Sequence, residues 1–487
     1  MSSPARRPAV VVIGGGISGL AAAYFLRQHG LAVTVLEGSP AVGGKLSVSE
    51  VAGVAVDEGA ESLLARRPEG TDLISDVGLA GELTVPGTTA AGIWTRGALR
   101  PLPARQLMGV PADVDELGRT GIVSPAGVAR AREDFVRPAT ERDGDVSVAS
   151  YVGARLGAEV VDRLVDPLLG GVYAGRAQEL SFEATLTALA AAARLHPSLA
   201  EAAGSLLPPA PPTGTPRPPV FTTLRGGLGM LPPAVAAASG AVVRTRAMVR
   251  ELAAAPGGWR LTVGSAHSPE QAGADAVILA VPGRPASRLL AGVPGAAQAA
   301  AALAGIGYAS MAIVTLAYRQ DAFRYPPHGS GYLVPAVDGH AVKAVTFSSV
   351  KWPHLAGGPA SIVRCSLGRV GEEAVLQRDD AELAGLAAAD LARATGVAGQ
   401  PLDVRVTRWG GALPQYNVGH LDRVRRIRDG VAGLGGLAVC GAAYDGVGIP
   451  ACIASARLAA RQVLDYLAER GWQGRAPEPP GAAAVGQ

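Results

Sequence analysis

Val10-Val11-Val12-Ile13-Gly14-Gly15-Gly16-Ile17-Ser18-Gly19, followed 18 residues later by Glu37, is the stretch that decides the reading of this chain. The apolar, β-branched run at 9–13 reads as a buried strand, 17–28 as a helix, and 32–36 as a second strand closed by an acid. Gly14, Gly16 and Gly19 stand at the G-x-G-x-x-G spacing. The first permits a tight turn, the second a close backbone approach to a pyrophosphate, and the third close helix–sheet packing. The helix N-terminus adds free N–H groups and a positive dipole end. Glu37 stands where a ribose-binding carboxylate belongs. A glycine-rich turn in an ordinary α/β protein is the plainer reading, and it leaves Glu37 unexplained.

The chain has 487 residues, 48% hydrophobic and 17% charged, with a net charge of +3. That length allows roughly three domains on a prior of ~150 residues each. The charge is too small to argue for nucleic acid, and no basic run with interleaved aromatics occurs. Cys365, Cys440 and Cys452 form no C-x-x-C pair, so neither a disulfide framework nor a metal site is expected. Met1 to Pro8 is short and polar, without a signal-peptide core, and a cytoplasmic protein is expected. Residues 289–318 carry no charge but are diluted by Ala, Gly, Ser and Thr; they read as an Ala-rich helix, a turn and a strand rather than a membrane span.

Further along, Gly43-Gly44-Lys45 follows the acid, and Asp57-Glu58-Gly59-Ala60-Glu61-Ser62 follows an alternating strand at 51–56. Residues 113–203 read as mainly helical, with segments at 147–156 and 159–169. Strands are expected at 241–252, 259–263, 274–281, 308–318, 331–335, 344–348, 361–367, 402–409 and 437–441, and helices at 379–395 and 450–470. Dinucleotide-binding pieces therefore fall at 1–83, 220–285 and 405–470. Substrate-domain pieces lie at 84–112 and 286–404, a helical insert at 113–206, a Pro-rich loop at 207–219 and a disordered tail at 471–487. The expected fold class is α/β with α+β inserts: a discontinuous Rossmann-like domain, a mixed-sheet substrate domain and a helical insert.

Taken in order, these motifs resemble the FAD-binding amine oxidase superfamily and, within it, the porphyrinogen oxidases of haem synthesis. The supporting segments are Leu102-Pro103, Met108-Gly109-Val110-Pro111, Asp166-Pro167-Leu168-Leu169-Gly170-Gly171-Val172-Tyr173-Ala174-Gly175, and Lys351-Trp352-Pro353-His354. Leu413-Pro414-Gln415-Tyr416-Asn417-Val418-Gly419-His420 and Gly441-Ala442-Ala443-Tyr444-Asp445-Gly446-Val447-Gly448-Ile449-Pro450 complete the set. The Met-Gly-Val-Pro and Lys-Trp-Pro-His segments look like the Gram-positive bacterial branch, which implies coproporphyrinogen III as substrate. Ala91 stands where eukaryotic members carry a substrate-facing arginine, a departure that disfavours protoporphyrinogen IX. Gly410-Gly411-Ala412 replaces the cysteine segment through which monoamine oxidases attach flavin, implying non-covalent FAD.

The resemblance also implies roles. Gly14, Gly15, Gly16, Ile17, Ser18 and Gly19 would take the diphosphate, and Glu37 with Gly38 the adenosine ribose. Gly43, Gly44 and Lys45 would lie beside the cofactor, Lys45 being either a cofactor cation or a solvated lysine. Gly59, Ala60, Glu61 and Ser62 would contact the isoalloxazine or else form a polar turn. Val249 is either an adenine contact or a core valine, and Trp409 either flanks the flavin or fills the core. Gly446, Val447, Gly448 and Ile449 would bring a helix N-terminus to the flavin edge. Arg66, Arg67 and Arg176 are candidate partners for substrate carboxylates or ordinary surface charges. Tyr173, Tyr332 and Phe347 are pocket walls or core residues.

The implied reaction takes hydride from a meso carbon to the flavin, with molecular oxygen as acceptor and hydrogen peroxide as co-product. It needs no side-chain catalyst, and none is assigned. The readings left beside it are a protoporphyrinogen IX oxidase, another flavin amine oxidase or desaturase, and an FAD-binding partner protein without turnover. Transient contact with the next haem-synthesis enzyme and peripheral membrane contact are compatible with the implied role.

Overall fold

The computed structural model describes residues 6–138, 144–209 and 219–472. Most of the Pro-rich loop at 207–219, and the tail from residue 473, lie outside them. The centre of the fold is a five-stranded, all-parallel sheet in the order Val242–Arg244, Ala32–Leu36, Ala9–Ile13, Ala276–Leu279, Leu437–Val439. Near-continuous apolar runs such as AVVVI, AVTVL and AVIL suit such a sheet, because both of its faces are covered. Its strands come from three distant parts of the chain. The register Val10↔Ala276 joins the N-terminal and middle segments, and Ile278↔Ala438 joins the middle and C-terminal ones.

One face is covered by helices Ile17–Leu26, Leu231–Ser239 and Ile449–Glu469. The first is buried nearly all round, so Ala21, Ala22 and Ala23 are needed to let its neighbours approach. The other face carries an antiparallel meander, Val249–Ala255, Gly258–Ser265 and Ser268–Ala274, with helices Gly283–Leu290, Ala297–Ala304 and His420–Ala432. Strand order reverses around Ala9–Ile13. The crevice beyond the C-terminal ends of these strands is the position where α/β sheets bind ligands.

A second sheet has seven strands in the order Asp403–Pro414, Tyr308–Tyr318, Ser361–Leu367, Val342–Phe347, Gly331–Leu333, Gly92–Thr95, Ala98–Pro101. It is antiparallel except where Gly331–Leu333 meets Gly92–Thr95. Helix Asp380–Thr395 covers one face and begins with a capping box between Asp379 and Glu382. A cluster of short helices between Val114 and Ser205 has its own core, in which buried Arg155 bonds Asp134 at 2.5 Å. No helix among the described residues is long and apolar enough to cross a membrane.

Four local expectations are corrected. The strand read at 51–56 is a hairpin, Val48–Val51 and Val54–Asp57, turned by Ala52 and Gly53, both at positive φ. The strand read at 241–252 divides at Arg246 (φ 54°), because Arg246 N–H and Ala247 N–H leave the sheet to bond Ser39 O and Glu37 O. The helix read at 159–169 opens into a π-helical turn, Val161–Val165, before Pro167; that proline has no N–H for the carbonyl four residues back. Asp403–Pro414 pairs along Tyr308–Tyr318 in the seven-stranded sheet, so the boundary expected at residue 404 falls inside a strand.

Candidate active site

The glycine-rich loop is shaped by contacts that no side chain could share. A Cβ on Gly19 would lie 1.9 Å from Gly14 O, and one on Gly14 (φ +111°) 2.5 Å from Ala280 O. Gly16 by contrast faces open space at the start of helix Ile17–Leu26, where the unpaired N–H groups of the first turn point. The loop is therefore closed against the sheet and open toward the crevice, which fits a diphosphate.

Glu37 ends its strand over this loop. Its carboxylate accepts hydrogen bonds from Gly15 N–H at 2.6 Å and Ser39 N–H at 2.7 Å. Gly38 lies under Met248, whose Cε is 2.6 Å from where a Cβ would stand, and Val249 follows at the start of its strand. Met248 is half exposed and was not anticipated, because the break at Arg246 that turns it over Gly38 shows only in the structure. Gly43 N–H bonds Gly15 O at 2.8 Å, so the Gly43-Gly44 turn rests on the glycine loop. Lys45 is partly buried beside it, its pKa lowered by burial, and its ammonium has no hydrogen bond or ion pair among the described residues. A desolvated, unpaired ammonium beside an anion cradle suits a bound phosphate or a polarised carbonyl.

Segment 57–62 is held rigidly. Gly59 packs so closely on Lys45 O that a Cβ would be 2.1 Å away, and Arg364 Nη2 donates to Gly59 O at 2.7 Å. Trp409 Nε1 donates to Glu58 O at 2.8 Å, which places the indole against this segment. Glu61 sits between two cations, Lys351 Nζ and Arg364 Nη1, each at 2.5 Å. Burial alone would raise the Glu61 carboxyl, but the Lys351 ammonium and Arg364 guanidinium outweigh it and hold it down to about 2. Asp57 next to it is pushed up to about 6 by burial, against the pull of Arg364. Arg364 was missed from sequence. The signal was present: a cation inside the wholly buried strand Ser361–Leu367 requires a buried anion.

At the C-terminal end, Gly446 (φ +135°) turns the chain toward Gly448, which caps helix Ile449–Glu469, with Val447 half buried between them. Gly446 N–H donates to Tyr416 Oη at 2.7 Å.

The substrate candidates are brought together less well. Arg66 is exposed without a partner among the described residues, and Arg67 pairs with Glu69 at 2.9 Å. Arg176 is committed to Val370 O and Glu372, so its guanidinium ties the helical insert to the turn after strand Ser361–Leu367 instead of standing free for a carboxylate. Tyr332 and Phe347 are buried in the core of that sheet, ring centroids 5.9 Å apart, and do not form an accessible wall. Tyr173 is buried against Tyr416 at 5.5 Å, and burial pushes its phenol up to about 12. All three cysteines are buried free thiols.

Comparison with known proteins agrees with this architecture. Residues 17–464 match the family described as flavin containing amine oxidoreductase. A coproporphyrinogen III oxidase of Mycobacterium tuberculosis is 38% identical over 462 residues, covering 94% of this chain and 97% of the relative. That of Bacillus subtilis is 30% identical over 482 residues, covering 94% and 98%. The crystal structure of a candidate protoporphyrinogen oxidase from Exiguobacterium sp. 255-15 superposes with a TM-score of 0.83 at 30% identity, covering 95% of this chain and 99% of that one.

Proposed function

This chain belongs to the flavin-containing amine oxidoreductase family, within it to the group of the coproporphyrinogen III oxidases, and from that premise we propose that it oxidises coproporphyrinogen III to coproporphyrin III with bound FAD. The observation that carries the reading is the cradle itself. Glycines closed against the sheet and open to the crevice, with Glu37 above and unpaired Lys45 beside them, match the diphosphate, ribose and polar ring edge of a flavin dinucleotide.

When bound, the flavin supplies the two-electron acceptor that no side chain provides. The chain's own residues hold and dry the site. Gly14, Gly16 and Gly19 with the following helix N-terminus would take the diphosphate, and Glu37 would orient the ribose. The Glu61–Lys351–Arg364 triad fixes the backbone of Gly59, where the segment would meet the ring, and Trp409 would close that side. Helix Ile449–Glu469 would offer its positive N-terminal end to the ring edge. With Ala412 in place of cysteine, attachment is non-covalent. Of Arg66, Arg67 and Arg176, Arg66 is the one without a partner among the described residues, and it is the one offered to a substrate propionate. Molecular oxygen is the acceptor, and three two-electron rounds release hydrogen peroxide. Hand-over to the next haem-synthesis enzyme and a peripheral membrane contact belong to the same reading, and co-sedimentation with that enzyme or with vesicles tests them.

The experiment compares turnover of coproporphyrinogen III and protoporphyrinogen IX side by side in air, followed by porphyrin fluorescence and peroxide release. Coproporphyrinogen III is expected to be strongly preferred. A preference for protoporphyrinogen IX would replace the substrate assignment, and absence of turnover with both would defeat the oxidase reading.

A further inference from the structure

The Pro414-Gln415-Tyr416 segment stands out in the sequence, yet the cofactor and substrate roles above leave it without a task. In the structure it is a junction. Gln415 Nε2 donates to Tyr173 O at 2.7 Å, at the end of helix Asp166–Tyr173. Ser181 N–H donates to Tyr416 O at 2.8 Å, and Gly419 N–H to Asp145 at 2.7 Å. Residues 415–419 are thus anchored to the helical insert at several backbone points.

From this anchored segment the Tyr416 side chain reaches the turn that leads into helix Ile449–Glu469. Its hydroxyl spans that turn, donating to Ala442 O at 2.6 Å and accepting from Gly446 N–H at 2.7 Å. The phenol ring is buried and lies flat on His420, with centroids 3.8 Å apart and planes at 14°. Burial pushes His420 down to about 4, so at neutral pH the stack carries no charge. With the ring stacked on His420, Tyr173 packed beside it and both hydrogen bonds made, the hydroxyl is held in place.

We propose that Tyr416 is a positioning residue for the cofactor, a strut that sets the turn at 442–446 relative to the helical insert and so fixes where the helix N-terminus meets the flavin. It does not touch reacting atoms. The inference rests on the assignment of Gly446, Val447, Gly448 and Ile449 to the flavin edge, and it ties the geometry of that edge to the helix of the insert that ends at Tyr173.

Tyr416→Phe removes the two hydrogen bonds and keeps the ring stack. Hydrogen exchange is measured on the cofactor-free protein, and FAD affinity, flavin absorption and thermal unfolding on the reconstituted one. Exchange at Gly446 and the FAD Kd are each expected to rise by about fivefold or more, the factor for loss of roughly one net hydrogen bond. Flavin absorption bands should shift, while exchange in Ala9–Ile13 stays at wild-type values and the unfolding temperature falls only slightly, as weaker FAD binding and the two lost hydrogen bonds require. Unchanged Gly446 exchange and FAD affinity would overturn the proposal. So would a rise in exchange spread equally over Ala9–Ile13, which would mark a general structural role. A wild-type chain that takes up no FAD would defeat the underlying cofactor assignment instead, and the exchange measurement would still decide whether Tyr416 holds the turn.

Discussion

Replacing Glu61 by Gln tests the charge triad at the centre of the proposed site. The substitution keeps the shape of the side chain but leaves Lys351 and Arg364 buried side by side without their shared anion. In the folded protein the Glu61 carboxyl is held at about 2 instead of its ordinary 4.5, a difference worth about 3 kcal/mol. Breaking a buried pair by removing one partner costs ~3–5 kcal/mol, which is consistent. The sign of the pH dependence follows. A depressed folded-state pKa contributes stability that is complete above about pH 4.5 and fades as the pH falls toward about 2. Equilibrium urea unfolding of wild type and Glu61→Gln at pH 7, 4.5 and 3.5 therefore has a defined outcome. The gap is about 3 kcal/mol at pH 7, close to that at pH 4.5, and smaller by about 1 kcal/mol at pH 3.5. A gap under about 1 kcal/mol at pH 7, the size of an exposed pair, would refute the reasoning. So would a gap that does not move with pH.

Gly19→Ala places a Cβ 1.9 Å from Gly14 O. The purified variant is expected to carry little or no flavin, read as absorbance per chain; wild-type flavin content would contradict the cradle. Phe347→Ala empties a fully buried core position and is expected to cost ~3–5 kcal/mol in urea unfolding. The KM for coproporphyrinogen III should stay at its wild-type value in the folded fraction. A raised KM with unchanged stability would return Phe347 to the substrate pocket.

How much of this was legible without coordinates depends on the range of the interaction. The strand at Ala9–Ile13, the loop at Gly14–Gly16, the helix at Ile17–Leu26 and the acid at Glu37 all lie within one short stretch. Their identity follows from β-branched runs, glycine spacing and helix periodicity, which are local properties of the chain. The α/β class and the discontinuous layout were legible for the same reason, since apolar strands recur near the start, middle and end. Segment ends were less secure. Arg246 and Pro167 broke elements for reasons of backbone conformation that an apolar pattern does not encode.

The side chains facing the site were a different matter. Glu61 meets Arg364 across 303 residues and Lys351 across 290, and Tyr416 meets Gly446 across 30. Periodicity tells which residues share a face of one element; it does not tell which elements will be neighbours. For that reason Arg364 passed unnoticed inside a strand, and Arg176, Tyr332 and Phe347 stayed open as site or scaffold. The amino-acid order alone determined the nucleotide cradle and the parallel sheet that carries it, because a turn, its helix and its acid are contiguous and sterically self-sufficient. Only the tertiary structure decided which distant charges share Glu61, which aromatic rings are core, and which phenol props the C-terminal turn. Those choices depend on how separately patterned layers come to rest against one another.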